Sequence, residues 1–465
     1  MRAIRDNATF VHFDVWGGAD MPNTLVLIHG YSDEGNSFAK WHERLKDRYE
    51  KTEEICICDY VSLTNEVTIK DLAEGFDLAL KARAGLKSNE PFDAIVHSTG
   101  MLVIRSWLTT YPKRRDRLKH LIGIAPATFG SPLAKKGRSW IGAVFKGNKD
   151  LGPDFLESGD LILDALELAS PFTWDLAEKD MLGEVEYYGE TSGTPFVHIF
   201  CGTEEYGGLR RAVSTPGTDG TVRQAGAGFN VRKIVLDLTK NQSVLDPDKK
   251  KGVKRWRLDD WRHNDKPVHL VDGMNHGTIL TEPTEELVGL VRDALDVGSA
   301  SSFKAWLAKA NAGKRINKCE ELWQQFIVRA YDERNDPITD YNLQLFTEQT
   351  DAAGKRVKAF DKNVDVYSKD QSCRAFLVDL KKVPLGSSLW LSVMASSGST
   401  YVYYEGHIAD DDATVGQVTS RRTTDAWLDL SGFSKAGDGF LSPYTTTLVE
   451  LYLDREPTDK LVRLR

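Results

Sequence analysis

The chain is predicted to be an α/β protein: a mostly parallel sheet covered on both faces, broken by a helical cap insertion and followed by an all-β sandwich. Three observations point there. Short apolar runs alternate with amphipathic helical stretches as far as residue 298, the pattern of right-handed βα crossovers. The interval between the fourth and fifth apolar runs, about 127–194, is far longer than a crossover needs. After Val297, "GSASS" ends the alternation, and short period-two strands separated by turn residues take over.

Length and composition fit that division. At 465 residues the chain exceeds one ordinary core, so we expect an α/β domain over 1–298 and a linker helix with a β-sandwich over 299–465. Hydrophobic residues make up 41% and charged residues 28%, the profile of a globular chain rather than a disordered one. A net charge of −8 argues against nucleic acid as a partner, and the basic run "DPDKKKGVKRWR" (246–257) is expected to be a solvated loop. No stretch has the ~20 apolar residues of a membrane span, and the N-terminus lacks a secretory apolar core; a cytoplasmic location is therefore expected, with export by a signal-less route left open. Five scattered cysteines suit buried thiols in a reducing compartment. Cys56 and Cys58 lack a second Cys/His pair at zinc-ligand spacing.

Each element follows from its local pattern. "NATFVHFDVWG" (7–17) alternates as an opening strand. "TLVLIHG" (24–30) is a continuous apolar run, as in a strand buried on both faces, and "NSFAKWHERLKDRY" (36–49) has helical spacing with Asn36 or Ser37 able to cap it. A second strand, "EEICICDYV" (53–61), precedes the amphipathic helix 67–86. "FDAIVHS" (92–98) is the third strand, followed by a helix that Pro112 stops. "LKHLIGIAPA", "PFVHIFCGT" and "KPVHLVDGM" supply the fourth, fifth and sixth. In the insertion, Phe155, Ile162, Leu163 and Leu166 recur at helical spacing, alongside "SWIGAVF" (139–145). A cap able to gate an apolar substrate is the functional reading, and a packing subdomain the plain one. Beyond 298, segment 303–333 is expected to hold helix before five short strands, starting at "VDVYS" and ending at "TTLVELYLDRE".

In a parallel sheet, function gathers where strands end at their carboxyl termini. Ser98 stands there, in "VHSTG", ending a buried strand and opening a helix. Ser-x-Gly alone is cheap, occurring roughly twice by chance in a chain of this size. Its position raises its value, because such a turn lifts the hydroxyl above the sheet at a helix N-terminus. Val96 adds bulk where strand and helix approach. "LIHGYSDEGNSF" (27–38) brings backbone N–H groups beside that turn. Two preorganised donors would stabilise an oxyanion, and the Tyr31 and Thr99 amides are the candidates, with Gly30 shaping the loop. "DGMNHGTIL" (272–280) places His276 in a glycine-flanked loop after the last strand, the best position for a general base among ten histidines. His29, His97, His198 and His269 lie in or beside apolar strands and are expected to be structural. The acid that orients the imidazole is expected to be Asp219, in the turn-rich "TPGTDGTVRQAGAGF" (215–229); Glu204 and Glu205 in "CGTEEYGG" compete.

Taken in the order Ser98, Asp219, His276, these motifs resemble the α/β-hydrolase superfamily, and its lipase and esterase branch in particular, over about residues 20–297. "IHGYSD" looks like its oxyanion loop, "VHSTG" its nucleophile elbow, "TDGTV" its acid loop and "NHGTIL" its histidine loop. Val96 departs from the Gly or Ala usual at the elbow. The resemblance implies two-step acyl transfer on ester or lipid substrates, with no cofactor and no metal. An acyltransferase on the same scaffold and a non-catalytic binding protein with a hydrolase fold are the alternatives. The C-terminal part resembles only a generic β-sandwich, open to membrane docking, protein docking or stabilisation.

Overall fold

The computed structural model describes residues 24–30, 37–49, 51–55, 66–82, 90–113, 115–136, 160–189, 193–207, 215–239, 266, 268–312, 322–350, 356–360, 364–383, 389–405, 426–429 and 441–462. The strand expected at 7–17, Tyr31, Cys56, Cys58, Cys319, Phe155, the run 139–145 and the basic run 246–257 lie outside them.

Before residue 298 the described strands are β1 (Thr24–Ile28), β2 (Lys51–Ile55), β3 (Phe92–His97), β4 (Leu118–Ile124), β5 (Phe196–Gly202), β6 (Val231–Asp237) and β7 (Val268–Val271). All but β6 form one sheet in the order β2-β1-β3-β4-β5-β7, and every pairing in it is parallel. β1 and β3 are buried along their whole length, which is why both read as continuous apolar runs.

Helices cover both faces. α1 (Ala39–Leu45), α2 (Ile69–Ala82) and α3 (Gly100–Thr110) follow the first three strands. α2 buries Ile69, Ala73, Phe76 and Leu80 on one stripe. Its start is a reciprocal cap: the Thr68 N–H donates to Asp71 Oδ2 at 2.7 Å, and the Asp71 N–H donates to Thr68 Oγ1 at 3.2 Å. On this face Val26, Ile28, Ala94 and Val96 pack with α3 and the cap. On the other, Leu25, Leu27, Ile95 and Ile122 pack beneath α1 and three later helices described below.

The described part of the insertion holds α4 (Asp160–Leu166) and α5 (Pro171–Asp180). Ser170 caps α5, accepting the Thr173 N–H, with Pro171 opening the helix. A fully buried ion pair fastens α5 to α3. Arg105 donates through Nε and Nη2 to both Asp180 oxygens at 2.8 and 2.9 Å, and the Tyr188 hydroxyl donates to Asp180 at 2.6 Å. On the far side, Glu167 accepts from the Ser368 N–H and hydroxyl at 2.8 and 2.6 Å, and Arg329 donates to Asp175 at 2.9 Å. These helices are thus clamped between the first sheet and the C-terminal region.

α6 (Gln224–Ala227), α7 (Thr278–Thr281), α8 (Glu285–Leu295) and α9 (Ala300–Ala312) complete the helices named here. The expected division near 298 falls between α8 and α9, and α9 packs Phe303 and Trp306 back onto the first sheet.

The C-terminal strands are β8 (Trp323–Asp332), β9 (Tyr341–Thr350), β10 (Arg356–Phe360), β11 (Val364–Val366), β12 (Cys373–Asp379), β13 (Leu389–Ala395), β14 (Val402–Glu405), β15 (Ala426–Asp429) and β16 (Thr446–Pro457). They build a four-stranded sheet, β10-β9-β13-β15, facing a larger one, β11-β12-β8-β16-β14, with Phe326, Val328, Leu345, Phe376, Leu391 and Leu451 among the apolar residues between them. The sandwich is not wholly antiparallel. β16 runs parallel to β8 on one side and to β6 on the other, so a strand from before residue 298 completes the C-terminal sheet.

Candidate active site

Ser98 sits on a strained turn. Its φ is +52°, a left-handed conformation that costs a non-glycine residue about 1–3 kcal/mol. The surrounding main chain holds it there. The Ser98 N–H donates to Ile124 O at 3.3 Å, and the Ser98 carbonyl accepts the Met101 and Ala127 N–H groups at 3.2 and 3.0 Å. Thr99 follows as the N-cap of α3, so the serine stands at a helix N-terminus, where the backbone dipoles favour negative charge.

Val96 is fully buried and stands in register with Ile28 and Gly123. Two nearby glycines sit in close packing. A Cβ on Gly123 would lie 2.8 Å from both Met101 Cε and Ile199 Cδ1. A Cβ on Gly100 would lie 2.8 Å from Ile28 O and 3.1 Å from His29 O. The first turn of α3 therefore rests directly on the end of β1.

The segment leading to Tyr31 passes beside the serine: a Cβ on Gly30 would stand 2.7 Å from Ser98 Cβ. Tyr31 itself is outside the described residues.

His276 and Asp219 meet in full burial. His276 Nδ1 lies 2.9 Å from Asp219 Oδ2, both side chains being wholly inaccessible. A second bond runs beside it, from the His276 N–H to Asp219 O at 2.8 Å. Asp219 Oδ1 accepts the Thr221 and Val222 N–H groups at 3.0 and 2.8 Å. A carboxylate so engaged holds Nδ1–H on the imidazole and leaves Nε2 as the ring's proton acceptor. Of the competing acids, Glu204 is exposed and its main-chain N–H is bound to Met274 O; Asp219 is the carboxylate at the imidazole.

The histidine loop is shaped by its own residues. Asn275 Oδ1 accepts the Gly277 and Thr278 N–H groups at 3.0 and 2.9 Å, starting α7. Gly202, at the end of β5, lets the loop cross: a Cβ there would lie 2.1 Å from Met274 O. Gly220 (φ +98°) likewise leaves space for the Tyr206 ring, 2.5 Å from where a Cβ would be.

His97 joins the two halves of the site, a role that sequence reasoning missed. Its Nε2 lies 3.0 Å from His276 O, so it must carry the proton there, and the two rings are 4.6 Å apart. The residue before Ser98 thus grips the main chain of His276. Adjacency to Ser98 was the one available signal; the partner is 179 positions away. Among the described residues, no group of three or more His, Cys, Asp or Glu could hold a metal ion.

Solved structures share this architecture. Phospholipase PlaB from Legionella pneumophila superimposes with a TM-score of 0.72 at 20% identity, over 96% of this chain and 96% of that one. The same phospholipase in complex with thio-NAD superimposes with a TM-score of 0.71 at 20% identity, over 95% and 96%. The chain has the α/β-hydrolase fold. The match extends through the β-sandwich, so the hydrolase fold and the C-terminal sheets occur together in both proteins. No protein-family model matches the sequence, and a comparison with curated proteins finds no match. No described helix of this chain is long and apolar enough to cross a membrane.

Proposed function

We propose that the protein is a serine-dependent carboxylic-ester hydrolase acting on apolar acyl esters, lipids included. The observation that carries this reading is the buried Asp219–His276 pair, joined by His97 to a serine in a left-handed turn. The proposed catalytic part is 1–298, with 299–465 forming the β part.

In this reading His276 Nε2 takes the Ser98 proton as Oγ attacks the ester carbonyl. Asp219 holds the imidazole tautomer and stabilises the imidazolium. The oxyanion is stabilised by the N-terminal end of α3, through the Thr99 amide, and by the Tyr31 amide from the loop after Gly30. His276 then returns the proton to the leaving alcohol, and a water activated by the same nitrogen releases the acid from the acyl-enzyme. Each step moves one proton between oxygen and Nε2, so the scheme balances without a cofactor. The fold shared with a phospholipase supports choosing a lipid ester for the first assays.

The test is hydrolysis of p-nitrophenyl esters of increasing chain length, and of phospholipid vesicles, by wild type and Ser98→Ala. Loss of at least about 10⁴-fold in kcat is expected for the variant, with unchanged folding by circular dichroism. Full activity in Ser98→Ala would sink the assignment.

A further inference from the structure

The acid loop is built partly by the C-terminal sheets. Asp219 takes its aim from the Thr221 and Val222 amides, so whatever holds the chain just after Val222 sets where Oδ2 points. The loop has bonds of its own, from the Asp219 N–H to Val222 O at 3.2 Å and from the Gln224 N–H to Gly217 O at 2.9 Å, and Ser131 Oγ donates to Thr221 O at 2.6 Å; Gly217 and Gly220 within it lie at positive φ. Its next residue is Arg223, with a side chain of zero exposure. The guanidinium donates through Nη1 to Gln325 Oε1 on β8 at 3.2 Å and through Nη2 to Asp365 on β11. Further contacts repeat the attachment. Thr446 Oγ1 of β16 donates to Ala225 O at 3.0 Å, and a Cβ on Gly217 would lie 2.8 Å from the Trp323 ring.

We propose that Arg223, gripped by Gln325 and Asp365, is a positioning residue for the Asp219 carboxylate, so that the C-terminal β region completes the catalytic unit. The inference rests on the proposed Ser98–His276–Asp219 reading. A buried guanidinium is costly unless paired, and packing alone would be served as well by an apolar side chain. What the planar fork adds is two bonds of fixed direction from one rigid group. They reach two strands of the same C-terminal sheet and tie residue 223 to both. Triad geometry tolerates little error, because a displacement of about 1 Å can lower the rate by roughly 100-fold.

The experiment uses the full chain and begins with fluorophosphonate labelling, which counts active sites and tests the underlying reading. Asp365→Asn, Asp365→Glu, Arg223→Met and Arg223→Lys are then assayed on a soluble p-nitrophenyl ester. Asp365 is partly exposed, so its variants remain informative where Arg223→Met fails to fold. For Asp365→Asn we expect kcat per labelled site to fall roughly 10- to 100-fold with KM within about two-fold. Asp365→Glu should restore most of the rate. A merely structural contact would lower Tm but leave kcat per site unmoved, and that result overturns this proposal alone. Wild-type protein that resists labelling, or Ser98→Ala that keeps its activity, would overturn the site reading and the proposal with it.

Discussion

Gly100 and Gly123 both sit in close packing near the elbow, but against unequal neighbours. A methyl on Gly100 meets main-chain oxygens of β1, whereas one on Gly123 meets the far ends of Met101 and Ile199. Backbone must shift in the first case, while flexible side chains can turn aside in the second. Gly100→Ala should therefore cost about 2–3 kcal/mol in urea unfolding and Gly123→Ala about 1 kcal/mol or less. Equal costs would show that the two glycines do not act as described. Residue identity made much of the site legible. Ser98, Asp219 and His276 could be picked out as candidates because a turn after a buried strand, a glycine-flanked histidine and an Asp-Gly turn each have local chemistry. The choice of Asp219 over Glu204 or Glu205 could not be closed from sequence, since it depends on which loop folds against His276. The role of His97 was hidden for the same reason.

At the scale of elements, α9 covers a row of histidines on the outer face of the first sheet. His198 is buried, with both ring nitrogens lacking a hydrogen-bond partner among the described residues. It packs edge-on to Trp306 and Phe303, ring centroids 4.3 and 5.2 Å away. Burial, with the neighbouring charges of His120, His269 and Lys266, holds its pKa well below the ordinary histidine value. The unfolded chain therefore binds a proton that the folded His198 refuses, and stability falls as pH drops below about 6.5. His120 works in the opposite sense. Burial alone would lower it, but the Asp93 carboxylate at 2.7 Å and Val297 O outweigh that and raise it. Its contribution is present in acid and is lost as pH rises through its folded pKa. His198→Leu should remove the first effect alone. Relative to wild type it should gain up to about 2 kcal/mol of stability between pH 7.5 and 5, measured by urea unfolding at each pH. A constant difference across that range would contradict the account. The helices under this row were legible from periodicity, and so were the six strands of the parallel sheet. β6 was missed, because "VRKIVLD" alternates weakly and its partner, β16, lies more than 200 residues on. The start of β8 was obscured by helix-forming residues ahead of it.

For the whole molecule, the shared sheet decides how separable the two halves are. β6 pairs with β16 along seven residues and sends Ile234 and Leu236 into the sandwich core. A chain cut after 298 would expose that strand's edge and apolar face, an invitation to aggregate. It would also strip Gln325, Asp365 and Thr446 from the acid loop. The 1–298 fragment is expected to be insoluble, or soluble and inactive even on small esters, as sedimentation and a p-nitrophenyl acetate assay would reveal. A soluble fragment with full activity on small esters would mean that the β part serves only docking. Sequence composition shifts near 298, but long-range parallel pairing leaves no local trace. The central claim is that Ser98, raised on its strained turn beside the His276–Asp219 pair, is the nucleophile. Its most direct test is to react the folded full-length protein with a fluorophosphonate and map the adduct by peptide mass spectrometry. The account predicts one modified residue, Ser98, with labelling lost on unfolding; an adduct on another serine, or none on the folded protein, would contradict it.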